Sequence, residues 1–223
     1  MSTESLYQKK FFNRLGEFAD LTPDTFRAFV KFDVAALSEG VLTAKLKELI
    51  AVAVAHTTGC PYCVKLHVAQ AKNKSASKEE TGEAIMIATA LKAGSALAHG
   101  VNALNAYDDT EREELYKEQY FSRLKEFSSL NPDAFKAFID FDTQAMKDGL
   151  LSGREKELIA IAVAHTTGCP YCISLHVQSA KKLGVPKEEI AESILVATAL
   201  KAGSALAHGV NALNAYDEVA LHT

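Results

Sequence analysis

The sequence predicts an all-α protein built as two tandem helical domains packed together. Three observations carry this. The second half copies the first at a fixed offset of 109 residues, apolar residues recur at helical spacing between recognisable caps, and strand alternation and Asn-Gly hairpin signals are absent. Residues 53–63 (AVAHTTGCPYC) recur as 162–172, and residues 88–108 recur as 197–217. No insertion separates 7–108 from 116–217. That period is too long for a solenoid unit and suits a small domain, so the chain reads as a duplication with domains at 1–109 and 110–223. The joint lacks Gly and Pro, and Thr110 with Glu113 reads as a capping box, so close joining is expected.

Each element follows from local signals. Thr22-Pro23-Asp24 and Asn131-Pro132-Asp133 give a cap, a first-turn proline and an acidic residue, with Phe26, Phe29, Val30 and Asp33 at helical spacing behind the first. Thr43 and Ser152 cap the next helix, Ser152 with Glu155 three residues on, and Leu46, Leu49, Ile50 and Ala53 line one face. Gly59 ends that helix and the CPYC segment starts another. A further helix follows Ser77-Lys78-Glu79-Glu80 and Pro186-Lys187-Glu188-Glu189. Gly94-Ser95 is expected to break it before a last helix reaching Tyr107.

Composition narrows the function classes. A net charge of -4 leaves no basic footprint for nucleic acid. No uninterrupted apolar run approaches the roughly 20 residues of a membrane span, and the N-terminus has no signal-peptide pattern, so a cytoplasmic protein is expected. All four cysteines fall in two CxxC pairs that staple nothing distant, which in a reducing compartment points to redox chemistry or metal binding.

Cys60 and Cys63 lie three apart and His67 four beyond Cys63, on one helical face; Cys169, Cys172 and His176 repeat this. A thiol attacks as thiolate, and a free thiol with a pKa of about 8.5 is mostly protonated at neutral pH. His67 can take the Cys63 proton, while the helix N-terminus favours thiolate at Cys60 and more weakly at Cys63. Glu48, twelve residues before Cys60, can orient the imidazole, as Glu157 can in the second copy; a solvated helix charge next to Lys47 is the competing reading. Zinc on Cys, Cys and His, with His56 as a fourth ligand, is the main rival, although three ligands on one helix clamp little. A thioredoxin fold lacks its βαβ setting here. His56, His99, His165 and His208 receive no assigned role, since a lone His on an apolar helix is more often a core or interface residue.

Glu, eleven residues, then Cys-x-x-Cys-x-x-x-His on a helix resembles the AhpD-like alkylhydroperoxidase group of the carboxymuconolactone decarboxylase superfamily, at residues 48–67 and 157–176. The resemblance implies a peroxidase or disulfide reductase that needs no metal or other cofactor. In that group the second cysteine attacks peroxide and the first is its disulfide partner. Carried over, Cys63 and Cys172 attack, Cys60 and Cys169 resolve, and His67/Glu48 and His176/Glu157 relay the proton. The partners implied are a peroxide substrate and a thiol or disulfide electron donor. Tyr62 and Tyr171 stand where the best-known members carry His, which departs from the pattern at the relay. The decarboxylase branch lacks the cysteine pair and stays as an alternative, as does a metal-binding helical protein. Because members form trimers or hexamers of single-domain chains, a two-repeat chain is expected to assemble as a homo-oligomer, with three chains making a hexamer-like ring.

Overall fold

A computed structural model of the chain describes residues 7–109, 111 and 113–218. The first repeat runs from a 3-10 segment, Lys9–Gly16, through α1 (Glu17–Leu21), α2 (Pro23–Leu37), α3 (Ala44–Thr58), α4 (Pro61–Asn73) and α5 (Lys78–Asp108). The second runs from Glu118–Lys125 through α6 (Glu126–Leu130), α7 (Pro132–Met146), α8 (Gly153–Thr167), α9 (Pro170–Lys182) and α10 (Lys187–Glu218). No strand occurs among the described residues.

The predicted caps are in place at several ends. Thr43 accepts from the Leu46 N–H, and Ser152/Glu155 close a reciprocal box. Ser77 and Glu80 close another at the start of α5. Gly59 stops α3 in the left-handed region at φ 73°, where glycine escapes the Cβ clash. Thr22 makes no side-chain cap bond, whereas Asn131 accepts from Ala134. The proposed Thr110 box falls on residues outside those described.

The expected break at Gly94-Ser95 does not occur: α5 is one helix of 31 residues. The small residues serve packing instead. A Cβ on Gly94 would lie 3.5 Å from the Phe138 ring, and one on Gly100 only 2.8 Å from Phe127. Ser95 is buried. In α10, Gly203 and Gly209 receive Phe29 and Phe18 in the same way. Tertiary packing outweighs the helix cost of about 1 kcal/mol per glycine.

α5 and α10 are, by length and composition, apolar enough to cross a membrane, although scattered polar residues interrupt their apolar runs. In this fold they are structural walls, with 44% and 39% of their most apolar stretches buried inside the protein.

The core belongs to both repeats. α3 and α8 pack on each other at the centre and are flanked by α5 and α10. Leu49, Ile50, Val52 and Val54 share one apolar cluster with Leu158, Ile159, Ile161 and Val163. The N-terminal arms cross over: Lys9–Gly16 and α2 pack on α10, while Glu118–Lys125 and α7 pack on α5. Each repeat is thereby wrapped by an arm of the other.

Candidate active site

The site grows from the turn between α3 and α4. Gly59 reverses the chain so that Cys60 caps α4, with Pro61 in its first turn. The Cys60 sulfur accepts the Cys63 backbone N–H at 3.3 Å, and Cys169 accepts that of Cys172 at 3.3 Å. All four cysteines are thiols. One turn on, His67 Nδ1 lies 2.9 Å from Glu48 Oε2, and His176 Nδ1 lies 2.8 Å from Glu157 Oε2. A carboxylate only accepts, so Nδ1 carries the shared proton, and in the neutral tautomer this fixes, Nε2 is the acceptor. Glu48 is only 7% exposed, which removes the solvated-charge reading. Lys47 is equally buried and turns to a different partner, Glu192 of the second repeat.

The two sulfurs share one proton unevenly. The Cys60 thiol is pulled down to about 6, first because the Cys63 thiol donates to it. The Cys63 N–H, His208 and Ser204 add to this, against the cost of burial. Cys63 is pushed up because its S–H donates a hydrogen bond to the Cys60 sulfur, and burial, the Cys60 charge and Asp33 push the same way. Cys169 and Cys172 repeat this distribution, with His99 and Ser95 in the supporting positions. The helix N-terminus thus favours thiolate at Cys60, as the sequence suggests.

Asp33 and Asp142 belong to the site although sequence reading placed Asp33 only as one position of a helical stripe. Burial pushes the Asp33 carboxyl up, the nearby His67 draws it down and the Glu48 charge raises it again. Asp142 stands alike beside His176 and Glu157. The available signal was an acid recurring at offset 109 among aromatic and aliphatic neighbours. Asp33 and Glu48 both line an open groove of about 430 Å³ that also includes Gln70 and Lys74.

His56 and His165 take no part: each Nδ1 lies 2.8 Å from a carbonyl of its own helix, of Val52 and Ile161 respectively. His99 and His208 do reach a site, but that of the opposite repeat. Among the described residues, no three His, Cys, Asp or Glu side chains converge as a metal-binding group. His56, bonded within its own helix, is not placed as a fourth ligand beside the cysteines.

The family model for carboxymuconolactone decarboxylases matches residues 23–106 and again 132–215. The chain belongs to the carboxymuconolactone decarboxylase family. Its relatives include "Uncharacterized protein 4 in cox locus" of Paracoccus denitrificans, 46% identical over 83 residues that make up 75% of that protein and 37% of this chain. An uncharacterized protein of Cupriavidus necator is 34% identical over 95 residues, 84% of its length and 43% of this chain. Each such relative is thus about one repeat long. A solved structure from Burkholderia xenovorans, provisionally named a gamma-carboxymuconolactone decarboxylase subunit, matches with a TM-score of 0.71. It covers 96% of this chain and 98% of its own at 20% identity, which establishes the common fold across both repeats of this family member.

Proposed function

We propose that this family member is a cytoplasmic thiol peroxidase and disulfide oxidoreductase with one reaction centre per repeat. The observation that carries the reading is the hydrogen bond that His67 donates to Glu48, set one turn from a cysteine pair in which the Cys63 N–H donates to the Cys60 sulfur. In this reading Cys63 passes its proton to His67 and attacks the peroxide. The O–O bond breaks, Cys63 becomes a sulfenic acid, and the alkoxide leaves as alcohol with the relayed proton. The Cys60 thiolate then attacks the Cys63 sulfur, forming the Cys60–Cys63 disulfide and expelling hydroxide, which takes a proton from solvent and leaves as water. Two equivalents of an external thiol restore the dithiol.

The matching family and fold favour one other reading, decarboxylation of a lactone acid, with the cysteines incidental. Counting free thiols before and after one equivalent of peroxide separates them. The peroxidase reading expects loss of two thiols per reacted site, recovery with dithiothreitol, and no peroxide turnover in C63S/C172S. Unchanged thiol counts, with lactone turnover that survives C63S/C172S, would establish the decarboxylase instead.

A further inference from the structure

The last helix of each repeat brings a serine and a histidine to the cysteine pair of the other repeat. Ser204, Ala207 and His208 occupy one face of α10 by their spacing of three and four. Ala207 packs in the same buried cluster as Cys60, Tyr62 and Cys63, with Phe11 and Phe12 against it. Ser204 is buried one turn before Ala207, and its hydroxyl helps hold the Cys60 thiol down. The Tyr7 hydroxyl lies 3.4 Å from His208 Nδ1, and the Tyr7 ring packs on Tyr62 with centroids 5.8 Å apart. The opposite site repeats every part. Ala98 shares a cluster with Cys169, Tyr171 and Cys172. Ser95 is buried beside Cys169, and His99 Nδ1 lies 3.1 Å from the Tyr116 hydroxyl. Tyr116 packs on Tyr171 with centroids 5.7 Å apart.

The sulfurs differ in access. Cys60 has no exposed surface, whereas Cys63 is 6% exposed. An external thiol therefore meets a Cys60–Cys63 disulfide at Cys63, and Cys60 is the sulfur that leaves. We propose that Ser204 and His208 of the second repeat receive the Cys60 sulfur as the leaving thiolate when this disulfide is reduced, and that Ser95 and His99 of the first repeat do so for Cys169.

The step balances as thiol–disulfide exchange. A donor thiolate attacks the Cys63 sulfur, the Cys60–Cys63 bond breaks, and its electron pair goes to Cys60. The mixed disulfide on Cys63 is then attacked at the donor sulfur by a second donor thiolate. The donor disulfide departs, and Cys63 takes a proton. The second proton goes to solvent, because Cys60 stays thiolate above its value of about 6. A leaving sulfur of low pKa leaves faster; with Cys63 held in the mixed disulfide and unable to donate an S–H, the Cys63 N–H and the α10 groups are what remain to favour the Cys60 thiolate. Besides His208, the titratable groups facing Cys60 are Cys63, Tyr62 and Tyr7, the last two set against each other at the mouth of the site. On this account neither repeat is competent without the other, which gives the fused chain a chemical reason.

The proposal rests on the cysteine pair being redox-active, but not on peroxide being its oxidant. The test therefore uses the full chain oxidised with diamide. In H208Q, carbon-labelled cysteine NMR reads each thiol titration, and alkylation mass spectrometry follows reduction of each disulfide by dithiothreitol. The Cys60 midpoint should rise by about one pH unit or more. Reduction of Cys60–Cys63 should slow several-fold while Cys169 and the Cys169–Cys172 disulfide stay at wild-type values. H99Q should do the converse, and H208K, which places a fixed cation there, should give a low Cys60 midpoint. If H208Q lowers the melting temperature, the exposed Y7F variant gives a smaller change of the same sign at the same site. An unmoved Cys60, or equal changes at both sites, would overturn the proposal. A disulfide that fails to form with diamide would sink the redox reading as a whole.

Discussion

The Lys47 ammonium, 3% exposed, lies 3.1 Å from the Glu192 carboxylate across the boundary between the repeats. Glu192 also accepts from the N–H groups of Val41 and Leu42 at 3.0 and 2.8 Å, and Lys47 donates to the Ser38 carbonyl at 2.6 Å. Lys156 and Glu83 mirror the pair at 3.0 Å. Burial works against the Glu192 charge, yet the two N–H donors and Lys47 hold its carboxyl below the usual range. Removing either acid leaves an ammonium and two N–H groups short of partners. E192A or E83A should each cost about 3 kcal/mol. Urea denaturation read by circular dichroism checks this; a loss under half that size would reduce the latch to a surface pair.

The helix glycines give a contrast within one helix. G94A adds a methyl at ordinary contact distance from Phe138 and should stabilise by up to about 1 kcal/mol through helix propensity. G100A places its methyl 2.8 Å from Phe127 and should lose that gain to overpacking of about 1–3 kcal/mol. Melting temperatures that rise equally in both would show that the Phe127 ring yields freely.

The relay predicts a pH signature. H67A/H176A and E48Q/E157Q should slow the reaction with peroxide about 10²–10⁴-fold at neutral pH. Raising the pH should recover only a small part of the loss, because Cys63, pushed up by its bond to Cys60 and by burial, stays protonated well above the usual thiol range. Stopped-flow rates from about pH 6 to 10 test both parts, and wild-type rates at pH 7 would remove the relay from the mechanism.

The uneven proton between the sulfurs links redox state to stability. Cys60 has a folded value of about 6, below its ordinary 9.0, so its contribution is fully present above that ordinary value and is lost as pH falls through 6. Cys63 is shifted the other way; its contribution is present below 9.0 and is lost as pH rises beyond it. The stability of the reduced protein relative to the oxidised one should climb as pH rises from about 6, then fall as it passes the ordinary thiol range. Parallel denaturant titrations of both forms measure the difference; a flat profile would mean that the thiols titrate normally.

Leu66 and Leu175 on the outer faces of α4 and α9, with Met86 and Leu195 on α5 and α10, are 40–47% exposed. We expect these surfaces to meet further copies, giving a trimer of chains. Light scattering at micromolar concentration should return three chain masses, and L66E/L175E should shift it to one. A monomer mass for the unaltered protein would refute this assembly.

The sequence by itself determined the duplication, the helical class, the caps at Thr43, Ser77 and Ser152, and the joint spacing of Glu48, Cys60, Cys63 and His67. These are legible because caps and i, i+4 spacing are local, and an offset of 109 needs only the chain. It misplaced Gly94-Ser95, since a small residue signals a break until an aromatic ring is known to press against it. It left Glu48 undecided, because nothing local distinguishes a solvated carboxylate from one buried against His67. Asp33, His99 and His208 were beyond its reach for the same reason. Which repeat each side chain serves depends on the crossing of the arms and the packing of α3 on α8, and only the tertiary structure decided that. Those contacts join residues some 150 positions apart, as Cys60 and His208 show, and their energy comes from apolar area that no single helix can bury alone.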